Sequence, residues 1–266
     1  MDSSTVGNSV FDLNRIKSET FVRQIDFHHE LPSTNSRALE LVLQGSFTTP
    51  LLVLTELQTA GRGRGSNQWW SGRDALTFSL VTETNYLRQP VSQPSKVSLC
   101  AGLAVCETLT NLSLPAHVGL KWPNDVHLDG HKVCGILVEV PPHCDEIAVL
   151  GIGINVNNSL SGGPPELQHS AAALIDIVGK PLDLNAVLTQ VLKKWEEITE
   201  LAADDKLQMV ERWQTYCVLD GRRVKLNCGS ETITGNCRGI DSDGALVLET
   251  QNALERFFSG SVIHVE

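Results

Sequence analysis

Hydrophobic and polar positions recur with two periods along this chain, and the places where one period gives way to the other mark its elements. In FVRQIDFHHEL (21–31) apolar and polar residues roughly alternate, which predicts a strand; LLVLTEL (51–57) and ALTFSLVTE (75–83) predict a second and a third. Between the first two, Pro32-Ser33 opens a predicted helix over TNSRALELVLQG that Gly45 closes. A Pro-punctuated connection then leads to SKVSLCAGLAVCETLTNL, a predicted helix with Ser95 as N-cap. VGLKWP predicts a further strand ended by a turn at Asn124-Asp125. Asp129-Gly130, between alternating apolar runs, predicts a hairpin. EIAVLGIGINVN (146–157) continues the sheet, and the Gly- and Pro-rich NSLSGGPPEL is a surface loop. Within 184–217, Leu188, Val191, Leu192, Trp195 and Ile198 recur at the spacing of one or two amphipathic helices. From Asp220-Gly221 onward five short strand candidates, RRVKLN, ETITGNCRGI, ALVLET, LERFF and SVIHV, are separated by turn residues, the pattern of a small antiparallel barrel.

The expected layout is a flexible segment over 1–20, a mixed α+β domain over 21–219 and a small all-β module over 220–266. A chain of 266 residues with 41% apolar content can fill a core without staples. Its formal charge of −10 repels polyanions, so any nucleic-acid site must be a local basic patch. Seven cysteines show neither CxxC pairing nor a metal-ligand pattern with histidine, which fits reduced core thiols in an intracellular protein. No apolar stretch is long enough to span a bilayer, and the first twenty residues lack the apolar core of a signal peptide. Asp2, Asp12 and Glu19 argue against a transit peptide there. The expected location is the cytoplasm, with an organellar form from a longer precursor left open.

TELQTAGRGRGSNQWWS (55–71) is too irregular for a helix or strand interior. Gly61, Gly63 and Gly65 let backbone N–H groups approach an anion closely; Arg62 and Arg64 add forked donors for carboxylate and phosphate oxygens; Trp69 and Trp70 are candidates for a water-excluding lid. The same run also reads as an RGG-like RNA contact. KWPND (121–125), taken alone, is an ordinary turn bearing Lys121, Asn124 and Asp125. In HKVCGILVEV, Lys132 lies close to a turn and Gly135 leaves room for a flat ligand against the sheet, although an edge lysine and a packing glycine explain them equally. GIGINVN supplies Gly151, Gly153, Asn155 and Asn157. Ser33, Thr34 and Asn35 read as a helix cap or as donors and acceptors for a polar ring, and Gln58 is a lone amide. Each fragment falls at a strand end or turn, where a sheet presents it on one rim.

In this order, STN, Q-x-A-GRGR-x₄-W, KWPND, K-x-x-GILVE and G-x-GIN followed by a small β-module resemble the biotin–protein ligases, or holocarboxylase synthetases, from about residue 25 to the C-terminus. The resemblance implies a catalytic domain of the class II aminoacyl-tRNA-synthetase-like α+β fold, followed by an SH3-like barrel. It implies that biotin and magnesium-ATP form biotinyl-5′-AMP, and that biotin then passes to a lysine of a biotin carboxyl carrier domain of a carboxylase. By the same resemblance Ser33, Thr34 and Gln58 bind the biotin head group with Asn35 nearby. Arg62, Gly63 and Arg64 close over the biotin carboxylate and α-phosphate, Trp69 flanks the adenylate, and Asn155 lies near the adenine. Lys132 contacts carboxylate and phosphate. Asp125 stands near the metal or the incoming lysine, with Gly61, Lys121, Asn124, Gly135 and Gly153 completing the binding set. Lys132, Arg64 and Asp125 are the expected catalytic residues.

The chemistry agrees with this. A carboxylate attacking an α-phosphate joins two anions, so cations must strengthen their grip as charge spreads in the transition state. Gly65-Ser66-Asn67-Gln68 replaces the more basic continuation of some relatives, leaving the loop's charge on two arginines. The N-terminal DNA-binding unit of some bacterial members is not expected here. Lipoate transfer is the nearest alternative; an RNA-binding module is the alternative from another class. Against the latter, residues 221–266 hold five Lys/Arg and six Asp/Glu, so the expected partners include neither nucleic acid nor membrane.

Overall fold

Short strands that alternate in polarity bury one face each, and two sheets with helices around them accommodate that pattern. A computed structural model of the chain describes residues 9–83, 94–204, 206–251 and 253–266. The Pro-punctuated connection falls at 84–93, outside the described residues.

The elements in order are α1 (Leu13–Glu19), β1 (Gln24–Leu31), α2 (Thr34–Leu43), β2 (Leu51–Gln58), β3 (Leu76–Glu83), α3 (Pro94–Asn111), β4 (Val118–Lys121), β5 (Asp125–Leu128), β6 (His131–Glu139), β7 (Ile147–Ile154), α4 (Leu174–Val178), α5 (Leu184–Asp204), α6 (Lys206–Tyr216), β8 (Arg223–Cys228), β9 (Glu231–Ile240), β10 (Leu246–Glu249), β11 (Leu254–Phe257) and β12 (Ser261–Val265). Strands β1 to β7 form one mixed sheet in the order β1-β2-β3-β7-β6-β5-β4, with β1 and β2 parallel and the other neighbours antiparallel. The last five strands form an antiparallel sheet in the order β11-β10-β9-β8-β12.

Alternation assigns the two faces of the larger sheet. Leu52, Leu54, Phe78, Leu80, Leu150 and Ile152 point into the main core, which α3 and α5 cover. That core also takes in Val224, Leu226, Cys237, Ile240, Leu246 and Leu248 of the smaller sheet, so both sheets share it. On the opposite face Val53, Val81 and Val149 pack beneath Ala38, Leu41 and Val42 of α2. Beyond that contact the same face carries Ser79, Gly135, Gly151 and Gly153. These are too small to fill the space above them, and the cavity described below lies there.

Local chemistry sets most element ends. Ser33 caps α2 by accepting from the Ser36 N–H, and Gly45, at φ 66°, ends it by donating to the Val42 carbonyl. The two-residue turn Asp129-Gly130 has φ of 47° and 84°, the left-handed pair that a tight hairpin between β5 and β6 demands.

Three expectations need correction. Residues 9–20 are not a loose lead: Asp12 caps α1, Phe11 and Ile16 are buried in the main core, and Arg15 pairs with Asp183 beside α5. Two buried apolar residues are too faint a periodic signal to announce a helix that tertiary contact holds. The third helix starts at Pro94, which leaves Ser95 inside its first turn; proline suits that place because the first turn needs no N–H partner. The turn in KWPND spans Trp122, Pro123 and Asn124, and Asp125 already belongs to β5, opposite Lys121 and Gly135. Asn124 causes this, since its side chain donates to the Ile136 carbonyl at 2.8 Å and its own carbonyl accepts from the Ile136 N–H.

Candidate active site

A cavity of about 230 Å³ opens where the glycine-arginine loop, the start of α2, the small-residue part of the sheet and the start of β12 meet. Of the ligand-loop, turn and strand-end residues singled out above, all but Gly61, Gly65, Trp70, Asn155 and Asn157 line it.

Its floor is polar and buried. The Gln58 side-chain oxygen accepts from the Thr34 backbone N–H at 2.8 Å and lies 3.0 Å from the Thr34 hydroxyl. Ser79 Oγ sits 2.8 Å from Thr34 Oγ1 and donates to Asn35 Oδ1 at 2.6 Å; Asn35 Nδ2 donates to Glu139 at 2.9 Å. Gly151 makes room for this: a Cβ there would stand 2.1 Å from Asn35 Oδ1. Buried polar groups persist only when paired, so this network fixes which donors and acceptors face the cavity.

One wall is aromatic. Gly135 and Gly153 are cross-strand partners, and a Cβ on Gly153 would lie 2.4 Å from the Trp69 ring, so this glycine pair forms a flat seat for the indole. Gly135 was expected to seat a flat ligand directly; here Trp69 takes that place. Trp70 is no second lid, because its ring packs toward Gly72 and Gly163, away from the cavity.

Lys132 Nζ lies 2.6 Å from Asp125 Oδ1 and 5.9 Å from the centre of the Trp69 ring. Arg64 donates to the Gly260 carbonyl at 2.8 Å and to Asn124 Oδ1 at 3.4 Å; both partners are neutral, so its charge is not cancelled. Arg62 differs, forming an ion pair with Glu139 and donating to Ser36 Oγ at 3.3 Å. Beside this group, burial pushes the His127 imidazole below its ordinary value, against the hydrogen bond to the Gly130 carbonyl, which raises it. His127 therefore adds no charge near neutrality.

Gly61 and Asn155 stand outside the lining. Gly61 braces the loop: its carbonyl accepts from the Trp69 N–H at 2.9 Å, and a Cβ there would meet the Trp69 carbonyl at 2.4 Å. Asn155 donates to the Ala172 carbonyl and accepts from Asn158, so both ends of its amide are engaged in holding the 155–172 segment.

Sequence reasoning missed the supporting residues Ser79 and Glu139 and the contribution of Ser261 and Val262 from the smaller sheet. Glu139 stood within the GILVE motif without a role. The others carried no local signal, since they reach the site only through pairing between distant segments.

A family model described as the biotin/lipoate A/B protein ligase family matches residues 28–157, and one for the biotin protein ligase C-terminal domain matches 221–265. The biotin--[acetyl-CoA-carboxylase] ligase of Mycobacterium tuberculosis is 30% identical over 246 residues, covering 91% of this chain and 90% of that protein. The bifunctional ligase/repressor BirA of Bacillus subtilis is 28% identical over 251 residues, covering 93% and 76%. Among solved structures, the biotin protein ligase of Aquifex aeolicus in complex with biotin and ATP superposes with a TM-score of 0.78 at 28% identity, covering 92% of this chain and 99% of that one. With the polar floor, the cationic loop and the two-sheet architecture all in place, this chain belongs to the biotin protein ligase family.

Proposed function

We propose that this protein activates biotin with ATP and transfers it to a lysine of a biotin carboxyl carrier domain. The observation that carries this reading is the convergence of Arg64 and Lys132 on one cavity whose floor is a closed network of amides and hydroxyls. A ureido ring needs paired donors and acceptors, and Ser33, Thr34, Gln58 and Asn35 offer them. Bringing a carboxylate against a phosphate needs cations held in advance. Arg64 is steadied by neutral oxygens, and Lys132 by Asp125, a carboxylate it exchanges for substrate anions.

In the first step the biotin carboxylate oxygen bonds to the α-phosphorus of ATP and the bond to the leaving pyrophosphate breaks. Arg64 and Lys132 bear on the negative charge that spreads over the phosphoryl oxygens. Asp125 is the one cavity carboxylate suited to magnesium brought by ATP; Mg²⁺ is ordinarily held by one or two carboxylates together with phosphate oxygens and water, which matches a site with one acid. The ion, when bound, screens the phosphate charge. In the second step a neutral lysine amine attacks the acyl carbon, an amide forms, AMP leaves with the bonding pair, and the amine gives up a proton; Asp125 is placed to accept or orient it. Trp69 and the loop shield the mixed anhydride from water.

No helix among the described residues is long and apolar enough to cross a membrane. The seven described cysteines are free, which supports action in a reducing compartment such as the cytoplasm. The test is direct: purified protein, biotin, magnesium-ATP and a carrier domain, read by streptavidin blot and pyrophosphate release. Labelling is expected with biotin. Labelling with lipoate instead, or no biotin-dependent pyrophosphate, overturns the assignment.

A further inference from the structure

Arg62 is the loop cation whose charge meets a carboxylate of its own chain, and the partner, Glu139, lies outside the cavity lining. Glu139 ends β6 on the cavity face, in register with Val149, two residues beyond the Leu137–Gly151 pair. Its two oxygens serve two structures: Oε1 takes Arg62 of the flap, and Oε2 takes Asn35 Nδ2 of the pocket floor. Asn35 Nδ2 also donates to the Leu137 carbonyl at 3.3 Å, so two acceptors hold that amide nitrogen outward. Its oxygen must then face Ser79, whose hydroxyl donates to it. With that hydrogen committed, Thr34 Oγ1 keeps its own hydrogen for Gln58 Oε1, which also accepts from the Thr34 backbone N–H. One carboxylate thus holds the flap and sets the direction of the whole floor.

We infer that Glu139 is a positioning residue, a latch that couples closure of the 58–71 loop to the state of the head-group pocket. The inference rests on the proposed biotin reading for its kinetic readout only. A half-exposed ion pair contributes little to global stability, but where opening a loop costs little free energy, a small bias changes its closed fraction severalfold.

The test uses Glu139→Gln, which keeps an acceptor for Asn35 and loses the charge on Arg62, together with Arg62→Gln and the double variant. Expected for Glu139→Gln is a rise of about 3- to 10-fold in both the biotin KM and the rate of biotinyl-AMP loss, with kcat for pyrophosphate release within about twofold of wild type. Arg62→Gln is expected to speed adenylate loss to a similar degree, and the double variant to be no faster than the faster single. Wild-type retention of the adenylate in Glu139→Gln, or multiplying effects in the double variant, overturns the latch. A second readout is independent of the ligand's identity: without any ligand, chymotrypsin should cut after Trp69 or Trp70 several times faster in Glu139→Gln than in wild type. Equal cutting removes the latch even if biotin activity is present; faster cutting upholds it even if biotin activity is absent.

Discussion

Lys132 and Arg64 hold cavity-facing charge by different means, one beside a buried carboxylate oxygen and one between two neutral oxygens. If each gains about 1.4–2 kcal/mol of contact as the phosphoryl charge develops, Lys132→Ala and Arg64→Ala should each slow adenylate formation about 10- to 30-fold, measured by biotin-dependent pyrophosphate release. Rates at the wild-type level would contradict the map. A different carboxylate bears on stability. Burial would raise the Asp26 carboxyl, yet hydrogen bonds from His28 and Arg37 hold it below its ordinary value, tying β1 to α2. A carboxyl depressed in the fold contributes stability that is present above its unfolded value, near 3.8, and is lost as pH falls through the lower folded value. Asp26→Asn should cost roughly 1 kcal/mol at pH 7 and progressively less as the pH falls through the folded value, by urea unfolding across that range.

At the scale of elements, the cavity exists because alternation along β3, β6 and β7 puts Ser79, Gly135, Gly151 and Gly153 on the face that α2 leaves uncovered. Filling it should be costly for function. Gly151→Ala forces the Asn35 amide from its place, which should raise the biotin KM by an order of magnitude, a larger effect than on the melting temperature, since Asn35 belongs to the cavity floor and not to the main core. Gly153→Ala collides with the Trp69 ring, displaces the indole, and should leave the 58–71 loop open to protease even with biotinyl-AMP bound. The alternation and the glycines are legible in the sequence. Their pairing is not, because register is settled by which strands become neighbours, and β3 lies beside β7 with β4, β5 and β6 between them in the chain.

For the whole molecule, the smaller sheet completes the site: Ser261 and Val262 line the cavity and the Gly260 carbonyl holds Arg64. Trp122, fully buried, reaches across and donates to the Gly244 carbonyl at 3.2 Å, while the Val218 N–H donates to Leu120 just before β8. Truncating that anchor, Trp122→Ala, should cost about 3–5 kcal/mol and lower activity together with stability, seen as parallel losses in thermal melts and labelling. A fall in activity with unchanged melting would mean that the smaller sheet is not braced through this residue.

What the sequence by itself determined is local. Alternation set the strands, Ser33 and Gly45 the ends of α2, Asp129-Gly130 the hairpin, and the glycine-arginine run its unfitness for regular structure. Each is decided by a residue and its near neighbours, through backbone freedom and side-chain caps. The tertiary structure decided everything that depends on meeting at a distance. Glu139 faces Arg62 across 77 positions and Gly260 faces Arg64 across 196. Asn155 turns from the cavity to brace the 155–172 segment, and α1 is ordered by a core to which it brings Ile16 and Leu13, with Phe11 just before it. No local propensity encodes such contacts, because their free energy arises when register, burial and charge are satisfied together in one packed arrangement.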